Sequence, residues 1–346
     1  MLTDIFATRY ADVPMWDEFR DRDRRFIVQG FRLVNERLYP PEVSGGKSEQ
    51  NEAKWKLLHD KLSTELGLIE LSQRWYSYQR QYGDKSYPQT GYFDWSRVCK
   101  TYLLKEYASS FDADAFIKKR LSFYELALRE KESEVNEKWD PATLAAKKLE
   151  AQLLGKRTDA AGMHEHALRE AQRKYWDDVV HEFNTRLRQA GYKLHYHNGF
   201  VQVSEDEIVA RQIEEPFWTL VADPKWKNVD TDMKEAVDRR DTGGRDPAWY
   251  AARALESAIK IISQDKGWTR GTEKGAAHYI DNLVSSKNGR YIDVWESENL
   301  KHFFGNVRAD LGHGPGAEPM PELRDQQTNW AIEFCMSWIR SLINRR

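Results

Sequence analysis

Arg308 and His313 are the two residues of this sequence whose types and spacing best fit a reaction centre. They lie where an apolar helical pattern over residues 300–307 gives way to a run rich in glycine and proline over residues 312–316. In an unbroken helix the two side chains would project about 140° apart. Glycine frees the backbone and proline removes a donor, so we expect a loop that returns His313 to Arg308. A fixed cation beside a group that titrates near neutrality suits phosphodiester cleavage, in which arginine binds a phosphate and imidazole moves a proton.

Four amphipathic helices are predicted around these residues. The first begins at Asp246-Pro247, a cap followed by proline at the first helical position, and ends near Gly267. A second includes residues 279–283, the third leads into Arg308, and the fourth begins near Asp325. Four such helices in about a hundred residues predict a helical bundle.

The preceding part of the chain also has mostly helical patterns. Apolar residues recur at helical spacing within residues 4–40, 55–66 and 98–130, and long helices are expected over about 131–190. Residues 192–203 alternate around Asn-Gly and predict a β-hairpin. The expected fold is therefore mostly α: an N-terminal helical domain (1–240) with a small β-hairpin, followed by a C-terminal helical bundle (246–346).

The composition indicates a cytoplasmic globular protein. Of 346 residues, 31% are charged and 40% are apolar, which suits a folded chain with a core in each of two domains. No apolar run is long enough for a membrane span or a signal peptide. The two cysteines, Cys99 and Cys335, lie among apolar or aromatic neighbours, and we expect both thiols to be reduced and buried.

The charge gives no general basic field for nucleic acid. The net charge is −2, and residues 246–346 carry as many basic as acidic side chains. Any RNA contact must therefore come from a local cluster. The sequence has no Walker-type phosphate-binding loop, so nothing supports an NTPase function.

Three other groups of residues each allow two interpretations. The charged run 20–25 is either a solvated, self-paired helix start or a patch that contacts RNA or a partner. The aromatic residues between 75 and 95, which a loop over 83–91 is expected to interrupt, form either core or a base-stacking surface. His195 and His197 share one face of a strand, but no third or fourth zinc ligand is recognisable, so no metal site is predicted.

Two resemblances to known families cover most of the chain. Arg308-x4-His313, between the third and fourth helices, resembles the motif of the HEPN superfamily, whose active members are metal-independent ribonucleases. The surrounding residues, from 249–256 to 312–314, resemble the C-terminal domain of bacterial abortive-infection proteins. Residues 4–10 and 23–29 resemble the N-terminal domain of AbiJ-type phage-defence proteins.

The HEPN resemblance implies an endoribonuclease that needs no cofactor. Arg308 and His313 would be the catalytic residues, and the notable supporting candidates are Asn306, Asp310 and Glu256. This sequence departs from many members of the superfamily directly after the arginine, where it has alanine instead of Asn, Asp or His. Some HEPN domains are catalytically inactive and serve in RNA binding or dimerisation, and this alternative stays open.

The resemblances also imply partners. The substrate would be RNA, either tRNA or mRNA, and two C-terminal domains would form a homodimer so that two motifs meet in one cleft. The N-terminal domain would sense a phage-derived trigger or protein partner, or restrain the nuclease in healthy cells. No contact with a membrane is expected.

Overall fold

The computed structural model describes residues 4–43, 46–82, 85–138, 161–204, 209–308 and 323–345. The protein is mostly helical, as predicted, with a few short strand pairs. It divides into two compact units, which comprise residues 1–201 and 202–346. No helix in the described ranges is both long and apolar enough to cross a lipid bilayer.

Where the structure describes it, the N-terminal part contains helices of very different lengths and three pairs of short strands. In chain order the elements described as far as Val203 are α1 (Phe6–Arg9), α2 (Asp21–Arg32), β1 (Glu42–Val43), β2 (Gly46–Lys47), α3 (Glu49–Glu65), β3 (Trp75–Tyr82), β4 (Lys85–Tyr92), α4 (Trp95–Leu103), α5 (Ala113–Lys138), α6 (Ala161–Gln189), β5 (Leu194–His197) and β6 (Phe200–Val203). A π-helical segment, Leu33–Leu38, directly continues α2.

Helix α5 is the centre of the N-terminal unit, because α1, α2, α3 and α6 all pack against it. Tyr124, near its middle, is fully buried and donates a hydrogen bond to the Ile27 carbonyl at 2.6 Å. The ring of Tyr124 lies against Gly30 of α2, in space that a larger side chain would occupy. Cys99 of α4 is also fully buried, as predicted.

The structure confirms one predicted hairpin and adds another. Strands β5 and β6 flank Asn198 and Gly199, whose positive φ angles of 42° and 89° are those of a tight turn. The prediction of a loop over 83–91 was wrong, because β4 occupies Lys85–Tyr92 and pairs with β3 in antiparallel register. Tyrosine and threonine favour strands, and Gly-Asp is a common two-residue hairpin connection, so the sequence did contain the signal.

The described residues of the C-terminal part include the four predicted helices, and the charged pattern over 230–240, which also predicts a helix, lies within a further one. After Val203 the described elements are a π-helical segment (Ala210–Glu214), α7 (Glu215–Val221), a 3₁₀ turn (Pro224–Trp226), α8 (Lys227–Asp241), α9 (Pro247–Asp265), α10 (Ala276–Val284), a 3₁₀ turn (Ser286–Asn288), α11 (Val294–Phe303), a π-helical segment (Phe304–Arg308) and α12 (Asp325–Asn344). One local prediction was wrong: Asp246 precedes α9 in a left-handed conformation (φ 56°), and its side chain makes no cap.

Helix α9 is the centre of the C-terminal unit and packs against α8, α10 and α12. The predicted apolar face of α9 is fully buried, and Cys335 of α12 is buried in the same core. Helices α7 and α8 contribute further core residues, namely Phe217, Trp218, Val221, Val229, Met233, Ala236 and Val237. The compact unit therefore starts about forty residues before the predicted domain, 246–346, and the domain bounds stay a prediction.

Candidate functional site

Helix α11 carries the chain from the C-terminal core towards Arg308. It begins with a capping box, in which the Asp293 amide donates to the Glu296 carboxylate at 2.8 Å. Glu296 also pairs with Arg345 at 2.5 Å, and mainly this hydrogen bond holds the pKa of Glu296 below its ordinary value. The far end of α11 is anchored by the buried ring of Phe303. Both ends of the helix are thus fixed to the core.

The π-helical segment Phe304–Arg308 continues α11 without a break. Its first ring, Phe304, is buried, whereas Asn306 is exposed and donates from its side-chain amide to the His302 carbonyl at 2.8 Å. π-helical turns are rare and occur frequently at functional sites. Asn306, one of the predicted supporting residues, is engaged with its own helix in this structure.

Arg308 is the last residue of the segment, so the predicted arrival of the third helix at this arginine is confirmed. Its backbone is helical, and the segment packs against both α9 and α11. His313 and Asp310 lie outside the described residues. That the loop brings His313 back beside Arg308 therefore stays a prediction.

Glu256, the remaining supporting candidate, lies on α9, the helix that contacts the π-helical segment. Its residue is only 4% exposed, and its carboxylate pairs with Lys260 one turn later at 2.9 Å. The ammonium group of Lys260 in turn lies 5.5 Å from the centre of the Tyr279 ring. Glu256 is therefore an ion-paired carboxylate within the core of the unit.

The segment that carries the C-terminal resemblance, residues 249–256, joins α9 to α8. Arg253 pairs with Asp232 of α8, and this hydrogen bond raises the pKa of the guanidinium. The same guanidinium lies 5.0 Å from the rings of both Trp249 and Tyr250. Arg253 is a residue that sequence reasoning did not single out, and here it holds two helices together.

The first segment of the N-terminal resemblance, residues 4–10, contributes a buried cation. Arg9 binds both oxygens of Glu125 at 3.1 and 2.6 Å, and the side chain of Glu125 is fully buried. Arg129 binds the same carboxylate at 2.9 Å. The ring of Phe200 lies 4.7 Å from the Arg9 guanidinium and 4.5 Å from that of Arg129. Two cations thus share one carboxylate and one aromatic ring.

The second segment, residues 23–29, begins within the charged run at the start of α2. Asp23 accepts a hydrogen bond from the Arg20 amide at 2.7 Å, which supports the self-paired interpretation of this run. The solvated interpretation was wrong for Asp23 itself, which is fully buried and accepts from the Tyr192 hydroxyl at 2.8 Å. This carboxylate therefore ties α2 to Tyr192, three residues after the end of α6.

His195 and His197 lie side by side on β5, with ring centres 6.0 Å apart. Burial lowers the pKa of His195 to about 4, so this imidazole is neutral near pH 7. Within the described ranges, no group of three or more His, Cys, Asp or Glu side chains is placed to hold a metal ion.

Of the two interpretations of the aromatic residues between 75 and 95, core or exposed surface, the core interpretation is wrong for four of them. Phe93 and Trp95 are partly buried near the base of the β3–β4 hairpin. Four other rings are exposed along the two strands: Trp75 (46%), Tyr78 (49%), Tyr87 (52%) and Tyr92 (67%). The exposure of these four rings is the largest difference between where the candidate residues were predicted to lie and where the structure places them.

Comparison with known proteins identifies one family. No curated protein and no solved structure matches the chain. A family model described as AbiJ N-terminal domain 4 matches residues 4–219, which include both N-terminal segments, with Arg9 and Asp23. This match covers more than half of the chain, and the chain therefore belongs to the AbiJ N-terminal domain 4 family of abortive-infection proteins.

Proposed function

We propose that this abortive-infection protein acts against phage as a HEPN-type endoribonuclease that cleaves RNA without a metal ion. The observation that carries the proposal is the path of α11 and its π-helical continuation, which run from the core to Arg308 at the start of Arg-x4-His. A helix anchored at both ends can hold a catalytic arginine at a fixed position, which transition-state stabilisation requires.

In the proposed reaction, Arg308 binds the scissile phosphate and stabilises the charge that develops on it. His313 acts as general base on the ribose 2′-hydroxyl or as general acid on the leaving 5′-oxygen. The 2′-oxygen attacks phosphorus and the 5′-oxygen leaves, which gives a 2′,3′-cyclic phosphate and a 5′-hydroxyl. DNA lacks the 2′-hydroxyl, so it should not be cut. One histidine does not easily perform both proton transfers, and a homodimer would supply a second.

A catalytically inactive module is the second candidate function, and two observations favour it. Alanine follows Arg308 directly, and the Asn306 amide is engaged with the His302 carbonyl instead of being free to orient a substrate. In this case the C-terminal bundle would bind RNA or form a dimer or protein contact without cleaving.

Cleavage of end-labelled RNA in EDTA by the full-length protein separates the two candidates. The informative variants are Arg308→Ala and His313→Ala. The chain offers matched controls in Arg324→Ala and His302→Ala, which remove an arginine and a histidine exposed near the same region. Product ends are identified by treatment with a phosphatase that opens cyclic phosphates.

The proposal expects cleavage by wild type and both controls, cyclic-phosphate ends, and loss of at least a hundredfold in each motif variant. Equal cleavage by all proteins would assign the activity to another site or to contamination. RNA binding without cleavage by any of them, including after phage infection of the expressing cells, would favour the inactive module.

A further inference from the structure

The β3–β4 hairpin of the N-terminal unit presents a face that the proposed nuclease function does not use. Eight residue pairs run from Trp75–Tyr92 at the base to Tyr82–Lys85 at the tip. Side chains alternate between the two faces of a strand. One face, here called the tyrosine face, therefore carries Tyr76, Tyr78, Arg80, Tyr87 and Gln89.

Two rings of the tyrosine face, those of Tyr76 and Tyr78, are held in place by their neighbours. The ring of Tyr76 covers Gly91, where a β-carbon would come within 2.6 Å of the tyrosine hydroxyl. Tyr76 and Tyr78 lie with ring centres 6.1 Å apart and planes inclined by 24°, and Phe93 continues the row 4.6 Å from Tyr76. The Tyr78 hydroxyl donates to the Gln89 amide oxygen at 2.9 Å. The result is a row of ordered rings with exposed surface.

The charge around this row is positive. Residues 74–92 contain Arg74, Arg80 and Lys85 but only one acidic residue, Asp84, in a chain whose net charge is −2. The Arg74 guanidinium lies 4.0 Å from the Trp95 ring and 5.2 Å from the Tyr92 ring at the base of the hairpin. The hairpin segment thus has an excess of basic residues, which contact with nucleic acid requires in a chain without a general basic field.

The composition of the tyrosine face indicates which class of partner it binds. Strands β3 and β4 contain no Leu, Ile, Val or Met, so the apolar surface of this face consists of aromatic rings alone. Tyrosine and arginine are also frequent in protein interfaces, but the excess of basic residues favours a polyanion, whose bases stack on such rings while cations contact its phosphates. Stacking needs unpaired bases, so a duplex would not fit.

We propose that the tyrosine face binds single-stranded nucleic acid, with bases stacked on Tyr76, Tyr78 and Tyr87 and phosphates near Arg74 and Arg80. This site lies in the N-terminal unit and binds without cutting, so it does not depend on the proposed nuclease. RNA and DNA strands share the bases and phosphates that such a surface recognises. Binding there would let the N-terminal unit detect exposed strands.

The test is fluorescence anisotropy of the full-length protein with labelled 12-nucleotide dT and rU strands and a duplex of equal length. The dT strand keeps the test separate from RNA cleavage, because it lacks the 2′-hydroxyl. The informative variant is Tyr78→Ala/Tyr87→Ala. Its matched controls are Tyr78→Phe/Tyr87→Phe, which keeps the rings, and Gln79→Ala/Thr90→Ala on the opposite face.

We expect the alanine pair to weaken binding to dT and rU by roughly tenfold or more, since each base that stacks on a ring contributes to the affinity. The two control pairs should bind within about twofold of wild type, and the duplex should bind weakly to all. Arg80→Gln should reduce the salt dependence of binding by about one phosphate contact. Circular dichroism checks that each variant is folded, which the exposure of Tyr78 and Tyr87 favours.

Three outcomes would overturn the proposal. One is the absence of dT and rU binding by wild type, and another is equal binding by the alanine pair. The third is binding that is equally tight for the duplex. If the alanine pair instead lowers the mass of the protein in sedimentation without affecting strand binding, the face joins two copies of the chain.

Discussion

Arg9 and Glu125, which lie 116 residues apart in the sequence, form a bidentate ion pair with two hydrogen bonds inside the N-terminal unit. Both side chains are almost completely buried, and Arg9 also donates to the Val201 carbonyl at 2.9 Å. The Val201 amide donates back to Glu125 at 2.8 Å. The beginning of the chain, the central helix α5 and the strand β6 thus meet at one carboxylate.

Arg9→Ala should destabilise the protein strongly, because it leaves a buried carboxylate with one cation instead of two. We expect a loss of about 3–5 kcal/mol in the free energy of unfolding of the N-terminal unit, measured by urea denaturation. Lys47→Ala, which removes one partner of the exposed Lys47–Asp94 pair, is the control and should leave the free energy of unfolding almost unchanged, because solvent screens this pair. A small effect of Arg9→Ala would mean that Arg129 alone compensates Glu125.

Two glycine-to-alanine changes should act in opposite directions. In Gly30→Ala the new β-carbon would lie 2.8 Å from the buried Tyr124 ring, so we expect a loss of about 1–3 kcal/mol. In Gly305→Ala no atom lies within 4 Å of the new β-carbon, so alanine should stabilise the helical segment by about 0.4–1 kcal/mol. Thermal unfolding of both variants measures the difference. A stable Gly30→Ala protein would show that the Tyr124 ring can move.

The buried carboxyl group of Glu214 should make stability depend on pH. Burial is the main cause that raises its pKa to about 7, against the attraction of Arg240 and a hydrogen bond from Ser204, while Asp241 and Glu333 raise it further. The folded state therefore binds more protons than the unfolded state between about pH 4.5 and 7, and the free energy of unfolding falls as pH rises through this window.

Glu214→Gln removes the charge that causes this loss. The variant should match wild type near pH 4 and become more stable above pH 7, by about 1.4 kcal/mol for each unit of pKa elevation. Urea denaturation across this pH range measures the difference, with the exposed Glu298→Gln as control. A difference that does not change with pH would contradict the raised pKa.

A shortened chain should behave differently depending on where it begins. A chain of residues 202–346 keeps α7 and α8, whose buried residues include Trp218 and Met233, and we expect cooperative unfolding in urea. A chain of residues 246–346 loses them, together with the Arg253–Asp232 pair, and should unfold without cooperativity or aggregate. If the N-terminal unit restrains the proposed nuclease, the first chain should be more toxic than the full-length protein; equal or lower toxicity would argue against restraint.

A mixture of two inactive variants tests whether two copies of the chain share a reaction centre. Arg308→Ala and His313→Ala, co-expressed with different tags and purified as a mixed dimer, should recover part of the RNA cleavage that each lacks alone. Recovery is expected because the mixed dimer contains one intact arginine and one intact histidine. A mixed dimer without activity would mean either that each centre takes both residues from one chain or that cleavage needs both histidines; a mixed dimer of wild type with His313→Ala separates these two explanations.

The sequence predicted the helices well because their apolar residues recur at helical spacing. The buried faces of α2 and α9 occupy the expected positions, and the turn at Asn198-Gly199 is formed as its dipeptide predicts. Periodicity does not give the partner of a buried charge, so the pairing of Arg9 with Glu125 could not be predicted across more than a hundred residues. The β3–β4 hairpin was missed because aromatic residues occupy both faces of its strands, which hides the alternation of a half-buried strand.

The candidate site was predictable only in part. The helical pattern placed the approach to Arg308 correctly, since α11 and its continuation reach that residue. The continuation changes from α-helix to π-helix where it packs against α9, and the residue types carry no signature of this change. Asn306 was chosen for its place beside the motif, and spacing alone did not indicate its bond to the His302 carbonyl.

The number of residues in the π-helical segment before Arg308 sets the direction in which the motif leaves the helix. A π turn holds one more residue than an α turn, and one residue of α-helix corresponds to a rotation of about 100°. Deleting Gly305 would remove this extra residue and let an α turn carry the chain to Arg308 in the same phase. Inserting an alanine beside Gly305, where a β-carbon meets no atom within 4 Å, would instead rotate the chain that follows by about this angle. Cleavage lost by the insertion and kept by the deletion and by Gly305→Ala would then depend on the helical phase of the chain, a property that no single side chain carries.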